Sequence, residues 1–494
     1  MLEWIRTIFA GAGRVRPTTE AEARAVSTAA QAEAHKRRGN GFLADGDLKK
    51  AEECYRLSIA AAPDSAEGYI NLGFVLLEQK RPADAKHYLE QAVSIDPEAA
   101  DGHYLLGKIS QGQNRSDEAI GNFNRALEVN PDFAEAHYGL GMTFRTQGRL
   151  DDALRCYDKA LSLRPGFSEA RFSKSLLVLL RGDFAQGLEL FESRLEVCDE
   201  KHVLDWMAFL SKHPEKPRWR GQDLAGKTLL IWAEQGAGDC MMAMRYLPKL
   251  AEKGVGRVLV LSDPSLTRLM QTLPVVSEIT SRVDTLSLNS FDFHCPIMSL
   301  PFLFGTRLGT IPDAVPYLSV TAETKRKWSE RLAGRKGPRV GLVWAGNNKY
   351  GKDFLRSLSL RQLGPLIKTA GVTFVSLQKG APAGELGETG WLILDWMNEC
   401  EDFLDTGALV ANLDLVISVD TSVAHLTGAL GKPVWLLNRL ESEWRWQLDR
   451  EDSPWYPTMR IFRQSALNDW DSVVERVASE LGRLAGSAAA GGGD

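Results

Sequence analysis

Cysteine is scarce in this chain of 494 residues: six, at Cys54, Cys156, Cys198, Cys240, Cys295 and Cys400. No two stand at metal-ligand or redox-motif spacing, so they read as reduced, mostly buried thiols of a cytoplasmic protein. Long apolar runs are missing too. None approaches the roughly 20 residues a membrane span requires, and Glu3 and Arg6 interrupt the apolar face of Met1 to Ala10, which is therefore no secretory signal. Excess charge of one sign is also lacking. A net charge of -5 is small for this length and argues against general affinity for nucleic acid or anionic lipid. Tryptophan is nearly absent from the first 205 residues: Trp4 stands alone there, and the other twelve of 13 begin at Trp206. So sharp a change in composition implies at least two domains, as the length does.

What the first part holds is a period. Gly39, Gly73, Gly107 and Gly141 are 34 residues apart, as are Ala51, Ala85, Ala119 and Ala153, and Pro63, Pro97, Pro131 and Pro165. That is the length of the tetratricopeptide repeat, a pair of helices. Full repeats fall at 32–65, 66–99, 100–133 and 134–167, after a lead-in over 1–31. The small residues let the two helices of a repeat approach. Tyr55, Leu89, Phe123 and Tyr157 supply a knob on the second helix, and the proline closes it. A fifth unit, 168–198, is degenerate: Ser175 replaces the glycine, Gly187 replaces the alanine, and Phe191 keeps the knob. Terminal repeats drift because they cap the stack or dock on a neighbour. Such an array offers a groove to a protein or peptide. Pro214, Pro217 and Gly221 mark a linker over 201–225.

Beyond it, apolar runs alternate with helical segments: Thr228–Ala233, Arg257–Ser262, the run from Arg339, Val372–Leu377, Trp391–Leu394, Leu415–Val419 and Pro433–Leu437. Continuous Val, Ile and Leu imply parallel strands covered on both faces. Two such sets suggest two Rossmann-like lobes, 226–325 and 326–484, with a cleft between them. The final helix spans Trp470–Leu484, and the Gly/Ala tail 485–494 reads as disordered.

Two strings could carry chemistry. Glu234-Gln-Gly-Ala-Gly-Asp239 follows the first strand, and Gly236 and Gly238 would let a helix N-terminus approach a ligand. Three readings stand side by side: a dinucleotide site with Asp263 on the ribose, though Met241 replaces the third glycine; Asp239 as a general base facing the cleft; or Asp239 as a helix cap. The second string, Ser418 to Pro433, places Asp420 at a strand end and Thr421, Ser422 and Val423 at a helix start suited to a pyrophosphate. His425 falls one turn in. An ordinary capped helix with a satisfied histidine is the plainer reading of any single residue there.

At this point 226–484 resembles the GT-B glycosyltransferases of the bacterial heptosyltransferase type, family 9-like. The string D-T-x-x-x-H-L-x-G-A-L-G-x-P, Asp420 to Pro433, matches that family's nucleotide-sugar motif, and the G-x-G-D loop matches its N-lobe motif. The resemblance implies an α-solenoid followed by an α/β GT-B fold, and an inverting, metal-independent transfer. Asp239 would be the catalytic base. Gly236, Gly238, Asp420, Thr421, Ser422, Val423 and His425 would bind the donor, with Arg356 contacting its diphosphate and Lys379 a second candidate for that role. No acidic D-x-D pair at a strand end asks for a metal, and no cofactor is implied beyond the nucleotide-sugar itself.

The layout, repeats then transferase, is similar to that of bacterial repeat-containing glycosyltransferases, flagellin-modifying ones included, and of protein O-GlcNAc transferases. It implies a cytoplasmic protein acceptor, with flagellin the first guess. The latter's groove asparagines do not recur: the sixth repeat positions are Arg37, Asn71, Leu105 and Gly139. Three other readings remain: an enzyme of lipopolysaccharide or polysaccharide synthesis, a non-catalytic tetratricopeptide adaptor, and an NAD-dependent oxidoreductase. Trp444 to Trp446 and Pro454 to Pro457 would line the donor pocket or pack as aromatic filling.

Overall fold

The structure, a computed structural model, describes residues 20–198, 201–346 and 353–491. The expectations for residues 1–19 and for 492–494, the end of the tail, fall outside these. The chain divides into two compact units, 1–173 and 174–494, and each is described by itself.

The first unit is a solenoid of helix pairs. They are α1 (Glu20–Ala44) with α2 (Leu48–Ala61), α3 (Ala66–Glu78) with α4 (Pro82–Ile95), α5 (Ala100–Gly112) with α6 (Ser116–Val129), and α7 (Ala134–Thr146) with α8 (Leu150–Leu163). The starts of α3, α5 and α7 recur every 34 residues, as do those of α2, α4, α6 and α8. The reason is steric. A Cβ on Gly39, Gly73, Gly107 or Gly141 would lie within 2.5–2.6 Å of Tyr55, Leu89, Phe123 or Tyr157, the knob of its own repeat. The four knobs and Ala51, Ala85, Ala119 and Ala153 are fully buried. The second helices end at Ala61, Ile95, Val129 and Leu163, each two residues before its proline. Three of those prolines are used again: the carbonyls of Pro97 and Pro131 meet Nε2 of His103 and His137 at 3.0 Å, and that of Pro165 accepts from Arg171 Nη2 at 2.5 Å. The next helix, α9 (Ser168–Leu180), contains the division between the units.

The second unit opens with α10 (Phe184–Phe191), capped by Asp183, whose carboxylate accepts from the Gln186 amide at 3.1 Å. Gly187 lies against Leu179, and the division between the units falls within the expected fifth repeat, 168–198. The stretch read as a linker is built into the fold. Lys201–Ser211 is a helix, α11, because Val203, Trp206 and Leu210 form one apolar face, buried with Leu230 and Trp232. Trp219 is buried, and its amide donates to the His294 carbonyl at 2.8 Å.

Two wholly parallel sheets follow. The first has β1 (Thr228–Trp232), β2 (Arg257–Leu261), β3 (Val276–Thr280) and β4 (Phe293–Pro296) in the order β3-β2-β1-β4. The second has β5 (Arg339–Val343), β6 (Thr373–Ser376), β7 (Ile393–Asp395), β8 (Leu415–Val419), β9 (Val434–Asn438) and β10 (Met459–Arg463) in the order β10-β9-β8-β5-β6-β7. β1 leads into α12 (Ala237–Ala243), β2 into α13 (Pro264–Met270) and β8 into α14 (Ser422–Ala429). The strands β3, β4 and β10 were not expected. All three are sheet edges whose sequences mix polar with apolar residues (VSEIT, FHCP, MRIFR), so no continuous apolar run announces them. The last helix, α15, runs from Trp470 to Gly491 instead of stopping at Leu484. Alanine is the strongest helix former, and Ala488, Ala489 and Ala490 continue the helix through the expected tail.

Candidate functional site

In an open parallel sheet a ligand crevice forms outside the carboxyl ends of the strands, where the strand order reverses. In the first sheet that point lies between β1 and β4, and the glycine loop Gly236–Asp239 leaves the end of β1. In the second it lies between β5 and β8, and Asp420 and Thr421 leave the end of β8. The two loops meet through α12 and α14. A Cβ on Gly238 would lie 2.7 Å from Cδ2 of His425, so glycine is what lets the helices touch.

Around this contact the sequence-predicted residues sort into two groups. Gly236, Gly238, Asp239, Arg356, Asp420, Thr421, Ser422, Val423 and His425 are brought to the two switch points. Arg356 reaches across the strand ends: Nη1 donates to the Asp420 carbonyl at 2.8 Å, and Nε donates to Asp353 Oδ1 at 2.8 Å. Asp420 is buried at the strand end. Thr421 has extended backbone and its hydroxyl meets Ser418 Oγ at 3.0 Å, so its side chain does not cap α14. The opening amides of that helix are left with no side-chain acceptor from the N-cap. Lys379 belongs to the other group, because its ammonium is spent on the backbone carbonyl of Cys400.

His425 is neutral at ordinary pH. Burial, with the charges of Arg245 and Arg356 adding to it, pushes its pKa down to about 3. Its Nδ1 meets the Tyr456 hydroxyl at 2.9 Å, and its ring lies 5.1 Å from that of Trp446. It therefore packs and orients. The aromatic cluster reads the same way: Trp444, Trp446, Trp455 and Tyr456 are buried, with Phe184 edge-on to Trp444 and Trp455. Arg245 sits among them. It donates to the carbonyls of Pro312 and Trp455 and to the Tyr317 hydroxyl, and so ties the two sheets' loops together.

Asp239 is held on both oxygens. Oδ2 accepts from the Gly236 amide at 3.2 Å, and Oδ1 is paired with the guanidinium of Arg445. It thus both closes the start of its own helix, from the third position back to the Gly236 amide, and occupies the meeting point. Arg445 was not singled out in the sequence. It stands 206 residues away on a loop after β9, inside a Trp-Arg-Trp triplet that the sequence offers only for its aromatics, as pocket lining or as filling. Glu234, which opens the glycine string, has a structural role, paired with the fully buried Arg194. Asp263 caps α13, accepting from the Ser265 amide at 2.8 Å, and so behaves as a helix cap. A cleft of about 440 Å³ beside Arg268, Thr272, Thr321 and Leu404 contains none of the expected site residues. Among the described residues no group of His, Cys, Asp and Glu is arranged to hold a metal, and no helix is long and apolar enough to cross a membrane.

Comparison with known proteins places the first unit. Tetratricopeptide repeat models match residues 42–109, 112–144 and 134–167. Protein FlbA of Caulobacter vibrioides is 30% identical over 344 residues, covering 63% of this chain. The chain spans about half, 54%, of that protein's length. Solved structures similar to it include MamA (26% identity, 35% of this chain and 97% of that one, TM-score 0.29). Another is YrrB, described as a TPR protein with an unusual peptide-binding site (21% identity, 38% and 98%, TM-score 0.29).

Proposed function

We propose that the chain is a glycosyltransferase with a GT-B arrangement of its two parallel sheets, using a nucleotide-sugar to modify a protein held by the tetratricopeptide repeats. One observation carries this reading. The glycine loop ending in Asp239 and the helix start at Thr421 sit at the switch points of separate parallel sheets, and the helices that follow them touch at Gly238 and His425. Asp239 would deprotonate the acceptor hydroxyl as it attacks the anomeric carbon. Arg356 and the amides at the start of α14 would carry the charge of the departing diphosphate. Preorganised donors of that kind contribute ~3–4 kcal/mol to a rate. Reading Asp263 as a cap removes the main support for an NAD site.

Calorimetry of the full chain against NAD and UDP-, ADP-, GDP- and CMP-sugars tests the donor class. One nucleotide-sugar is expected to bind, and NAD is not. Asp239→Asn keeps the shape and removes the base, so transfer from that donor should fall roughly 10²–10⁴-fold while the protein stays folded. Binding of NAD alone, or undiminished transfer in the variant, would remove the proposal. Flagellin is a reasonable first acceptor to try, and loss of its modification in a chain starting at residue 174 would assign recruitment to the repeats.

A further inference from the structure

Arg445 has more hydrogen-bonding capacity than its surroundings use. Nη2 is paired with Asp239 Oδ1, and Nη1 lies 3.9 Å from Glu443 Oε2. Nε is buried with no acceptor at all. A guanidinium presents five donors in a fixed fork, so two carboxylates on one side leave this fork unsaturated. The residue is anchored from behind, its guanidinium carbon 4.6 Å from the ring centroid of Trp444. The next residue, Trp446, packs on His425, one turn into the helix that starts at Ser422. Two more buried donors without acceptors lie at the end of β10: Nη1 of Arg463, whose Nη2 donates to the Trp446 carbonyl at 3.1 Å, and Nε2 of Gln464. Unpaired buried donors are costly. All three lie on the carboxyl side of the second sheet, Arg445 in the loop after β9 and the others at the end of β10, and open donors there suit an anion with several oxygens.

We propose that Arg445 is exchanged between two anions, the carboxylate of Asp239 and a phosphate group of the ligand, so that phosphate binding is what frees Asp239. This rests on the reading of the site given above and adds a positioning residue to it. A phosphate brings more charge and a third oxygen, and charge-assisted pairs with arginine favour such an acceptor. A carboxylate with one oxygen on Arg445 and the other on the Gly236 amide has its approach occupied. Moving the guanidinium to the phosphate opens it only once the leaving group is seated. Burial lowers the Arg445 pKa to about 10, with the charge of Tyr456 acting against that, so the group stays cationic at neutral pH.

Pyrophosphate is the probe, titrated calorimetrically into the full chain. Asp239→Asn removes the competing anion and should bind pyrophosphate more tightly, within the roughly 5–150-fold span of coupling between sites. Arg445→Gln should bind it more weakly, and adding Asp239→Asn to Arg445→Gln should give no gain. Equal affinity of wild type and Asp239→Asn, a gain that persists without Arg445, or no binding by either protein overturns the proposal. Failure of Arg445→Gln to fold leaves the first comparison standing. The transferase reading fails separately: pyrophosphate coupling present, with no nucleotide-sugar bound or turned over.

Discussion

Gly238 faces the ring of His425 so closely that a Cβ would stand 2.7 Å from its Cδ2. That ring cannot retreat, because it is buried between Trp446 and the Tyr456 hydroxyl. Gly238→Ala must therefore part α12 from α14 and separate the two loops. Overpacking of this kind costs about 1–3 kcal/mol. A lowered denaturation midpoint together with weakened nucleotide binding is expected, by tryptophan fluorescence and calorimetry. An unchanged midpoint would show that the two helices have slack.

Arg356 should act on charge. Its guanidinium spans the ends of β5 and β8, held to the Asp420 carbonyl and to Asp353. Arg356→Ala should weaken a nucleoside diphosphate by roughly tenfold or more, since a hydrogen bond to a charged group contributes ~1.5–3 kcal/mol. The matching nucleoside should be nearly unaffected. Equal losses would mean that Arg356 only holds the Asp420 turn in place.

Acid should destabilise the second unit before its carboxylates titrate. Burial drives His425 down to about 3 and His294 to about 4, with nearby arginines adding to both shifts. As pH falls below the ordinary imidazole value, ~6.5, the unfolded chain takes up protons that the folded one refuses. Stability present at neutral pH is thus lost on the way down to about 4 for His294 and about 3 for His425, and at about pH 5 each histidine accounts for ~2 kcal/mol. Urea titrations followed by tryptophan fluorescence report this unit, which carries all but one of the tryptophans. His425→Gln should flatten the dependence; an unaltered slope would mean His425 is protonated in the folded protein.

In the solenoid, Gly107 and Phe123 should behave as one unit. A Cβ at Gly107 would lie 2.6 Å from the fully buried Phe123 ring. Gly107→Ala alone should lower stability by about 1–3 kcal/mol. Phe123→Leu should restore part of it, because Leu89 fills the same place in the preceding repeat beside Gly73. Helical circular dichroism of the full chain measures both, and additive losses would mean the two residues are not coupled.

The sequence by itself determined the solenoid and the existence of parallel sheets. In the repeats a glycine and its knob lie 16 residues apart, so the period that meets the eye is the contact that holds the structure. Buried central strands such as Leu415–Val419 announce themselves as unbroken apolar runs, while the edge strands β3, β4 and β10 mix polar with apolar residues and do not. The glycine loop and the string from Asp420 were legible because strand, turn and helix start follow one another within a few residues. Only the tertiary structure could decide that Lys379 is spent on a backbone carbonyl, that Glu234 belongs to Arg194, and that Arg445 pairs with Asp239. Those partners lie between 21 and 206 residues apart. A charge pair at that separation leaves no local pattern, since what selects the partner is the folded position of two strand ends and not the spacing along the chain.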